Sequence, residues 1–250
     1  MNTATTQASI RREPELLGQT VVLIGGSAGI GFETARRAQA EGANVILTGR
    51  NPERLQRAAG ELAALSSAAF DASDPAALER FFRDLSTHID HVMVTAGSPS
   101  YGRLVDLDVA QASAAFSDHL VVEQQVGRYA ADKVRPGGTL LFMGGTGGRR
   151  VGPGSYSAVT AALPALTASL ALELAPVRVN LIAAGFVDTA LSASLLGDDL
   201  DKRRDQLQET LPIGRVVGPA DVAALAVHIM ANTALTGATY DIDGGQQLVS

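Results

Sequence analysis

The stretch from Ile24 to Gly31, which reads Ile-Gly-Gly-Ser-Ala-Gly-Ile-Gly, decides the fold of this chain. It follows the apolar run 20–23, which is typical of a buried parallel strand, and it leads into a helical pattern over 31–39. Gly25, Gly29 and Gly31 carry no Cβ that would block a ligand, and the start of the helix is the positive end of its dipole. The stretch therefore predicts a phosphate-binding turn, with an ordinary glycine-rich turn as the alternative.

The composition favours one domain with a large hydrophobic core. The chain has 250 residues, of which 46% are hydrophobic, and α/β folds of this size often remain undivided. Residues 1–17 are polar and lack an apolar signal segment, so we expect a flexible N-terminal tail followed by a single domain over 18–250. No apolar run has the length of a membrane span, and these features together predict a cytoplasmic protein without a membrane partner.

Charge and ligand-forming residues exclude several classes of partner. The chain has 20 Lys and Arg against 26 Asp and Glu with no basic cluster, so nucleic acid is not an expected partner. The absence of cysteine excludes disulfides, a catalytic thiol and thiolate metal sites. The four histidines, at 88, 91, 119 and 228, share no metal-ligand spacing, so we expect no metal site.

Strand and helix patterns alternate along the remainder of the chain. The further predicted strands are 44–48, 68–70, 92–95, 139–143, 177–183 and 238–242. The further predicted helices are 52–64, 76–86, 109–134, 156–174, 199–210 and 219–230. Because parallel neighbours need crossover connections, this order predicts an α/β fold, a Rossmann-type doubly wound parallel sheet flanked by helices on both faces. The glycine turn then lies at the first strand–helix junction, where such a sheet binds a dinucleotide.

Motifs in a fixed order make the chain resemble the short-chain dehydrogenase/reductase family. After the turn Gly-x-x-x-Gly-x-Gly come Asp71, Ala96-Gly97, Tyr156-Ser157-Ala158, Arg178-Val179-Asn180, Gly185-Phe186-Val187-Asp188-Thr189 and Asp243-Gly244-Gly245. Each motif is weak alone, whereas the ordered set covers almost the whole chain from Gly18 onward. The resemblance implies a Rossmann-fold oxidoreductase that uses a nicotinamide dinucleotide.

The end of the second predicted strand bears on the choice of cofactor. An NAD-selective site usually has an acidic residue there for the ribose 2′-hydroxyl, and this chain has Arg50. A guanidinium pairs bidentately with a 2′-phosphate, so we predict NADP(H), with a solvated surface arginine as the alternative. By the resemblance, Asp71 would bond the adenine amino group, and Val187 and Thr189 would hold the nicotinamide amide and the pyrophosphate. The full predicted cofactor-binding set is Gly25, Ser27, Ala28, Gly29, Ile30, Gly31, Arg50, Asp71, Ala72, Ala96, Gly97, Gly185, Val187 and Thr189.

The resemblance also implies four catalytic positions, and this chain departs from three of them. The family uses a proton-transferring tyrosine, a lysine four residues later that holds the nicotinamide ribose, a carbonyl-polarising serine and an asparagine that anchors a water relay. Tyr156 matches the tyrosine, but Thr160 stands at the lysine position, and the only lysines of the chain are Lys133 and Lys202. Thr146 is the hydroxyl nearest the serine position, and His119 stands where the asparagine is expected.

An isolated tyrosine favours one direction of reaction. Its pKa is about 10, so at neutral pH it donates a proton readily but is a poor base. We therefore predict reduction of a small carbonyl compound with Tyr156 as proton donor. Arg149, in the loop before Tyr156, could favour the phenolate and partly replace the lysine. The alternatives are that Arg149 is a surface charge, that Thr146 bonds only its own turn, and that His119 is a packed helix residue.

The last expectations concern the substrate, the assembly and competing functions. Segment 190–212 resembles the substrate lid of the family.

The helix predicted over 156–174 is apolar nearly all round, with Glu173 its only charge, so we expect a homodimer or homotetramer. Two alternatives to carbonyl reduction remain: a non-catalytic NADP(H)-binding protein, and a same-fold enzyme for enoyl reduction or dehydration. The lysine expected further along the helix for enoyl reduction is also missing.

Overall fold

A seven-stranded parallel sheet forms the centre of the protein. The computed structural model describes residues 13–97, 110, 113, 117–146 and 156–249. The strand order is β3-β2-β1-β4-β5-β6-β7, with β1 Thr20–Ile24, β2 Asn44–Gly49, β3 Ser66–Ala69, β4 Ile89–Val94, β5 Val134–Gly145, β6 Arg178–Ala184 and β7 Thr239–Ile242. The helices of the described part are α1 Gly29–Ala40, α2 Pro52–Glu61, α3 Pro75–Asp84, α4 Val122–Ala130, α5 Tyr156–Glu173, α6 Ala190–Leu196, α7 Leu200–Thr210, α8 Pro219–Ala231 and α9 Gln246–Val249.

Each face of the sheet has its own hydrophobic core. All of β1 is buried, and its side chains alternate between the two faces. Val21 and Leu23 join a cluster with residues of α1 and α8, whereas Val22 and Ile24 join one with residues of α3, α4 and α5. The predicted α/β fold, a doubly wound parallel sheet with helices on both faces, is therefore confirmed.

Capping residues set the start of two helices. The Asn51 side chain accepts the backbone N–H of Arg54 at 2.8 Å, and the Asp74 side chain accepts that of Ala76 at 3.0 Å. In both helices proline is the first residue. Its missing N–H is tolerated there because the N–H groups of the first turn have no acceptor within the helix. The helices predicted over 52–64 and 76–86 are present but end earlier, at Glu61 and Asp84.

The prediction of one long helix over 109–134 is wrong at its carboxyl end. The described part of that region contains a π-helical turn, Ser117–Val121, followed by α4, which ends at Ala130. β5 already begins at Val134, where it pairs with Ile89 before the register shifts. The Pro-Gly-Gly sequence at 136–138 therefore lies inside a strand at an irregularity, not between two elements. The segment 190–212 also contains α6, an additional helix that the sequence pattern did not predict.

Leu16 lies within the segment 1–17 that we expected to be a flexible tail, yet it is fully buried. Its backbone N–H donates to the Glu41 carbonyl at 3.0 Å, and its side chain joins the core beside α1. The ordered domain therefore begins before Gly18, while residues 1–12 lie outside the described part. Across that part, every helix falls short of the length and apolarity that crossing a membrane requires.

A buried polar cluster lies at the amino end of β6. The Arg178 guanidinium donates hydrogen bonds of 2.7–3.0 Å to the carbonyls of Gly137, Ile229, Met230, Asn232 and Leu235. His91 on β4 is 3% exposed, and its Nε2 bonds the Gln19 side-chain oxygen at 2.6 Å. Burial, together with the charge of Arg178, lowers the pKa of His91 to about 3. His91 is therefore neutral in the folded protein over most of the acid range.

Replacing His91 with glutamine should make the protein less sensitive to acid. The imidazole has its ordinary pKa of 6.5 in the unfolded chain, so below that pH the unfolded state binds a proton that the folded state does not. Stability should therefore fall as the pH drops from 6.5 towards 3, by about 2 kcal/mol at pH 5. His91→Gln retains an N–H donor for Gln19 and should remove that loss, measured by urea unfolding at pH 7 and pH 5. His88→Gln, at an exposed site, is the control. If the free energy of unfolding of His91→Gln falls between pH 7 and pH 5 as much as that of the wild type, His91 is not the source of the acid sensitivity.

Candidate functional site

A cleft of about 450 Å³ opens at the carboxyl ends of β1, β2 and β4. The order of the sheet reverses between β1 and β4, which is where doubly wound sheets bind ligands. Of the fourteen predicted cofactor-binding residues, the structure places twelve along this cleft: Gly25, Ser27, Ala28, Gly29, Ile30, Gly31, Arg50, Asp71, Ala72, Ala96, Gly97 and Thr189. Gly185 and Val187 do not line it. The roles of all fourteen remain predictions.

The glycine turn is held so closely against the end of β4 that it excludes side chains. A Cβ on Gly31 would lie 2.5 Å from Thr95 Oγ1 and closer still to the Gly25 carbonyl oxygen. A Cβ on Gly25 would lie 2.7 Å from the Ala96 nitrogen, and its φ of +102° is unfavourable for other residues. The Thr95 hydroxyl donates to the Gly25 carbonyl at 3.1 Å. These contacts fix the turn and the start of α1 at the floor of the cleft.

The helix α1 begins without a side-chain cap. Its N-cap residue is Ala28, whose side chain accepts no hydrogen bond, whereas α2 and α3 are capped by Asn51 and Asp74. The first backbone N–H groups of a helix have no acceptor within the helix, and the helix dipole adds positive charge there. Because Gly29, Ile30 and Gly31 line the cleft, this helix start suits an anionic group such as a phosphate.

Two arginines line the end of the cleft that β2 and β3 form. Arg50 directly follows β2, and Arg54 lies one turn further on, in the first turn of α2. Both are exposed. Arg54 belongs to none of the sequence motifs, although its place in the predicted helix 52–64 was a usable signal. Beside them, Asp71 accepts the backbone N–H and the hydroxyl of Ser73 at 3.0 and 2.8 Å. These bonds, with the nearby charge of Arg50, hold the pKa of Asp71 below its usual range.

The predicted lid segment 190–212 begins along the opposite side of the cleft. Leu191 and Ser194 on α6 line it, and α6 buries none of its side chains. The Thr189 hydroxyl caps α6 by accepting the Ser192 backbone N–H at 3.2 Å. Further along, the Arg204 guanidinium on α7 bonds both carboxylate oxygens of Asp188 at 2.8 and 3.0 Å. The segment is therefore attached to the loop after β6 at two points.

The four predicted catalytic residues are only partly described. Tyr156 is the first residue of α5, and its side chain lies outside the described part, as does all of Arg149. Thr146 directly follows β5 and is partly exposed. His119 is 8% exposed on the π-helical turn and is not among the residues that line the cleft. Their roles in catalysis remain predictions.

Thr160 stands at the position where the family has its lysine, and its hydroxyl is already hydrogen-bonded. Thr160 is 4% exposed, and its Oγ1 donates to the Ser157 carbonyl at 3.1 Å. The Lys133 ammonium donates to the Arg83 and Leu85 carbonyls at 3.2 and 3.0 Å, near the amino end of β5. Lys202 is exposed on α7 and does not line the cleft. Neither lysine therefore replaces the missing one.

Comparisons with known proteins agree with this architecture. A family model described as Enoyl-(Acyl carrier protein) reductase matches residues 25–247. The short-chain dehydrogenase/reductase ATR9 of Stachybotrys chlorohalonatus is 30% identical over 253 residues, which cover 93% of this chain and 98% of that protein. The crystal structure of BdcA in complex with NADPH superimposes with a TM-score of 0.82 at 28% identity, over 92% of this chain and 95% of that one. A short chain dehydrogenase from Burkholderia cenocepacia in complex with NADP also has a TM-score of 0.82 at 28% identity, over 92% and 98% of the two chains.

Substituting alanine for Gly31 should destabilise the fold. The added methyl group overlaps Thr95 and the backbone of Gly25, so the turn must move away from β4. We expect a loss of about 1–3 kcal/mol in the free energy of unfolding, measured by urea titration. Gly60→Ala in α2 is the matched control, because a Cβ there has no neighbour within 4 Å and alanine favours a helix by up to about 1 kcal/mol. Equal stability of the two variants would refute the close approach.

Proposed function

Because the chain belongs to the short-chain dehydrogenase/reductase family, a family of oxidoreductases, we propose that it reduces a small carbonyl compound with NADP(H), using Tyr156 as proton donor. The observation that carries the proposal is the cleft itself, which combines an uncapped helix start with two arginines at one end. The same cleft reaches the segment 190–212 at its other side, where a substrate lid is proposed. The substrate is therefore expected beside Leu191 and Ser194.

The residues of the cleft fit each part of NADP(H). The glycine turn leaves room for a pyrophosphate against the first N–H groups of α1. Arg50 and Arg54 supply two guanidinium groups for the 2′-phosphate, and Asp71 is ionised and available to the adenine amino group. Two solved relatives contain NADPH or NADP, which supports the same cofactor for this chain. When bound, the reduced nicotinamide would supply the hydride.

Tyr156 would complete the reduction by donating its phenol proton to the substrate oxygen. Thr160 stands at the lysine position, and an unperturbed phenol, with a pKa of about 10, retains its proton at neutral pH. Thr146, at the end of β5, would hydrogen-bond the substrate carbonyl and so polarise it. The reductive direction is favoured because it needs a donor, whereas oxidation needs a phenolate that Thr160 does nothing to stabilise.

One observation favours a second candidate function, a non-catalytic NADP(H)-binding protein. The hydroxyl of Thr160 is committed to Ser157, and both lysines lie away from the cleft. The cleft would then bind the nucleotide without the full proton-transfer apparatus. Enoyl reduction or dehydration stays a third candidate. The description of the matching family model supports it, but the chain lacks a lysine anywhere in α5.

A symmetric homodimer or homotetramer is proposed from the surface of α5. Among its described side chains only Glu173 is charged, and Leu172 is 83% exposed. An exposed apolar helix surface of this kind is typical of a subunit contact. A cytoplasmic location remains part of the proposal.

Removing either arginine at the cleft should weaken NADPH binding selectively. A charge-assisted hydrogen bond contributes about 1.5–3 kcal/mol, so Arg50→Ala and Arg54→Ala should each raise the Kd for NADPH by about tenfold or more. The Kd for NADH, which lacks the 2′-phosphate, should change by less than about twofold. Fluorescence titration of both nucleotides measures these values. Arg57→Ala is the control, since Arg57 is exposed on the same helix but does not line the cleft. An equal loss for both nucleotides would remove the basis for NADP selectivity.

Substituting phenylalanine for Tyr156 should strongly lower kcat but preserve nucleotide binding. Loss of a general acid lowers kcat by about 10²–10⁴-fold, whereas the Kd for NADPH should remain unchanged. The assay follows NADPH oxidation with a panel of ketones, aldehydes and enones, and Tyr129→Phe on α4 serves as the control.

Three results would overturn this assignment. Tight NADPH binding without wild-type turnover would identify a nucleotide-binding protein, and turnover of enones alone would identify an enoyl reductase. Turnover that survives Tyr156→Phe would exclude Tyr156 as the proton donor.

A further inference from the structure

The short helix α6 carries two exposed leucines that belong to neither hydrophobic core. Leu191 is 41% exposed and Leu195 is 47% exposed, and α6 buries none of its side chains. Residues four apart lie on the same face of a helix, so the two leucines form one apolar surface with about 5–6 Å between their Cβ atoms. Ser194 lies beside them, three residues after Leu191. These three side chains form the α6 face.

The α6 face is continuous with the cleft. Leu191 and Ser194 line the cleft itself. The rotation of α6 is fixed by Ser192, whose hydroxyl donates to the Val187 carbonyl at 2.6 Å and whose backbone N–H donates to the Thr189 hydroxyl at 3.2 Å. These bonds attach α6 to the loop after β6 and hold the α6 face along the edge of the cleft.

Other apolar side chains line the cleft at the same end. Met143 on β5 and Val122 on α4 are among the lining residues. Because β5 and β6 are neighbours in the sheet, Met143 lies on the same side of the cleft as α6, which follows β6. The substrate end of the cleft is therefore lined by hydrocarbon from three elements.

The charged side chains that line the described part of the cleft lie at its other end. They are Arg50, Arg54 and Asp71, which follow β2 and β3. The ends of β2 and β6 are four strand positions apart, which is about 19 Å. The screening length at physiological salt is about 8 Å, so these exposed guanidinium groups attract an anion at α6 only weakly. Along the described lining, no charged side chain is available to a carboxylate or phosphate group beside α6.

We propose that the substrate is an uncharged aliphatic ketone or aldehyde whose alkyl chain lies against the α6 face. The inference rests on the proposed function and adds a substrate class to it. NADPH would supply the hydride to the carbonyl carbon and Tyr156 the proton to its oxygen, so the alkyl chain contributes to binding alone. Full burial of a methylene group strengthens binding about fourfold. Because the α6 face covers one side of the chain, we expect about two- to fourfold for each methylene.

A second copy of this chain is the competing occupant of the α6 face. Stable protein interfaces bury about 1,200–2,000 Å², whereas α6 has seven residues and offers two half-exposed leucines. That surface is small for a subunit contact, but it is large enough for one alkyl chain. Its continuity with the cleft also favours the substrate.

Simple amides test the α6 face without turnover. Butanamide, hexanamide and octanamide have a carbonyl group and an alkyl chain, but NADPH does not reduce them. Their Kd, measured by calorimetry with and without NADPH, should fall about two- to fourfold for each added methylene. The monoamide of octanedioic acid, which ends in a carboxylate, should bind more weakly than octanamide. A Kd that is independent of chain length, or tighter binding of the carboxylate, overturns the proposal.

Substitutions on α6 should change this chain-length dependence. Leu191→Ser and Leu195→Ser should each raise the Kd for octanamide about three- to tenfold and leave that for butanamide nearly constant. Leu65→Ser is the matched control, since Leu65 is 57% exposed before β3 and does not line the cleft. Leu195→Arg should strengthen binding of the monoamide about two- to fivefold, as an exposed ion pair does. Equal Kd values for octanamide in the wild type and both serine variants overturn the proposal.

Turnover separates this proposal from the proposed function. With butanone, pentanone, hexanone and octanone, kcat/KM should rise about two- to fourfold for each methylene, through KM and not through kcat. Turnover without this dependence overturns the α6 proposal alone. Absence of turnover with every ketone overturns the proposed function, and the amide Kd values then decide whether the α6 face binds an alkyl chain. Serine variants that change the sedimentation coefficient but not the amide Kd would identify a subunit contact and overturn the proposal.

Discussion

The contact between the glycine turn and the end of β4 is the constraint on which the site depends. A methyl group on Gly25 or Gly31 would overlap Thr95, the Ala96 nitrogen or the Gly25 carbonyl, directly after β1 and β4. That contact places the uncapped start of α1 at the point where the strand order reverses. The need for glycine at positions 25 and 31 therefore comes from packing against neighbouring backbone, and not only from a bound ligand. The floor of the cleft is therefore formed by the backbone of the turn and of the residues that follow β4.

Polar groups are hydrogen-bonded within the protein at the amino end of the sheet and exposed at its carboxyl end. At the amino end, the Arg178 guanidinium donates hydrogen bonds to five backbone carbonyls, which joins β6 to the segments around it. His91 is kept neutral there by burial. At the carboxyl end, the first N–H groups of α1 lack a side-chain acceptor and Arg50 and Arg54 are exposed. Donor groups of this kind, exposed along a cleft, are those expected to bind ligands.

Local patterns were sufficient to predict the glycine turn, the alternating elements and most of the cleft lining. They failed where distant packing decides the outcome. Pro136 and Gly137 are typical of a chain break, but pairing with β4 keeps them in a strand that begins at Val134. A charged residue in a helix pattern is normally exposed, so nothing in the sequence marked Glu123, which is 2% exposed on α4. Leu16 looked like part of a polar tail because its partners in the core come from elsewhere in the chain.

The paired hydrogen bonds between Arg204 and Asp188 have a thermodynamic consequence. Asp188 directly precedes Thr189, so one short loop carries both a hydroxyl at the cleft and the anchor of α7. The intervening helix α6 buries no side chain and depends on these attachments for its position. A ligand that contacts Thr189 therefore acts on the same short loop to which α6 and α7 are attached. Ligand binding at Thr189 and the position of α7 are thus expected to be coupled in free energy, so that a change in one alters the equilibrium of the other.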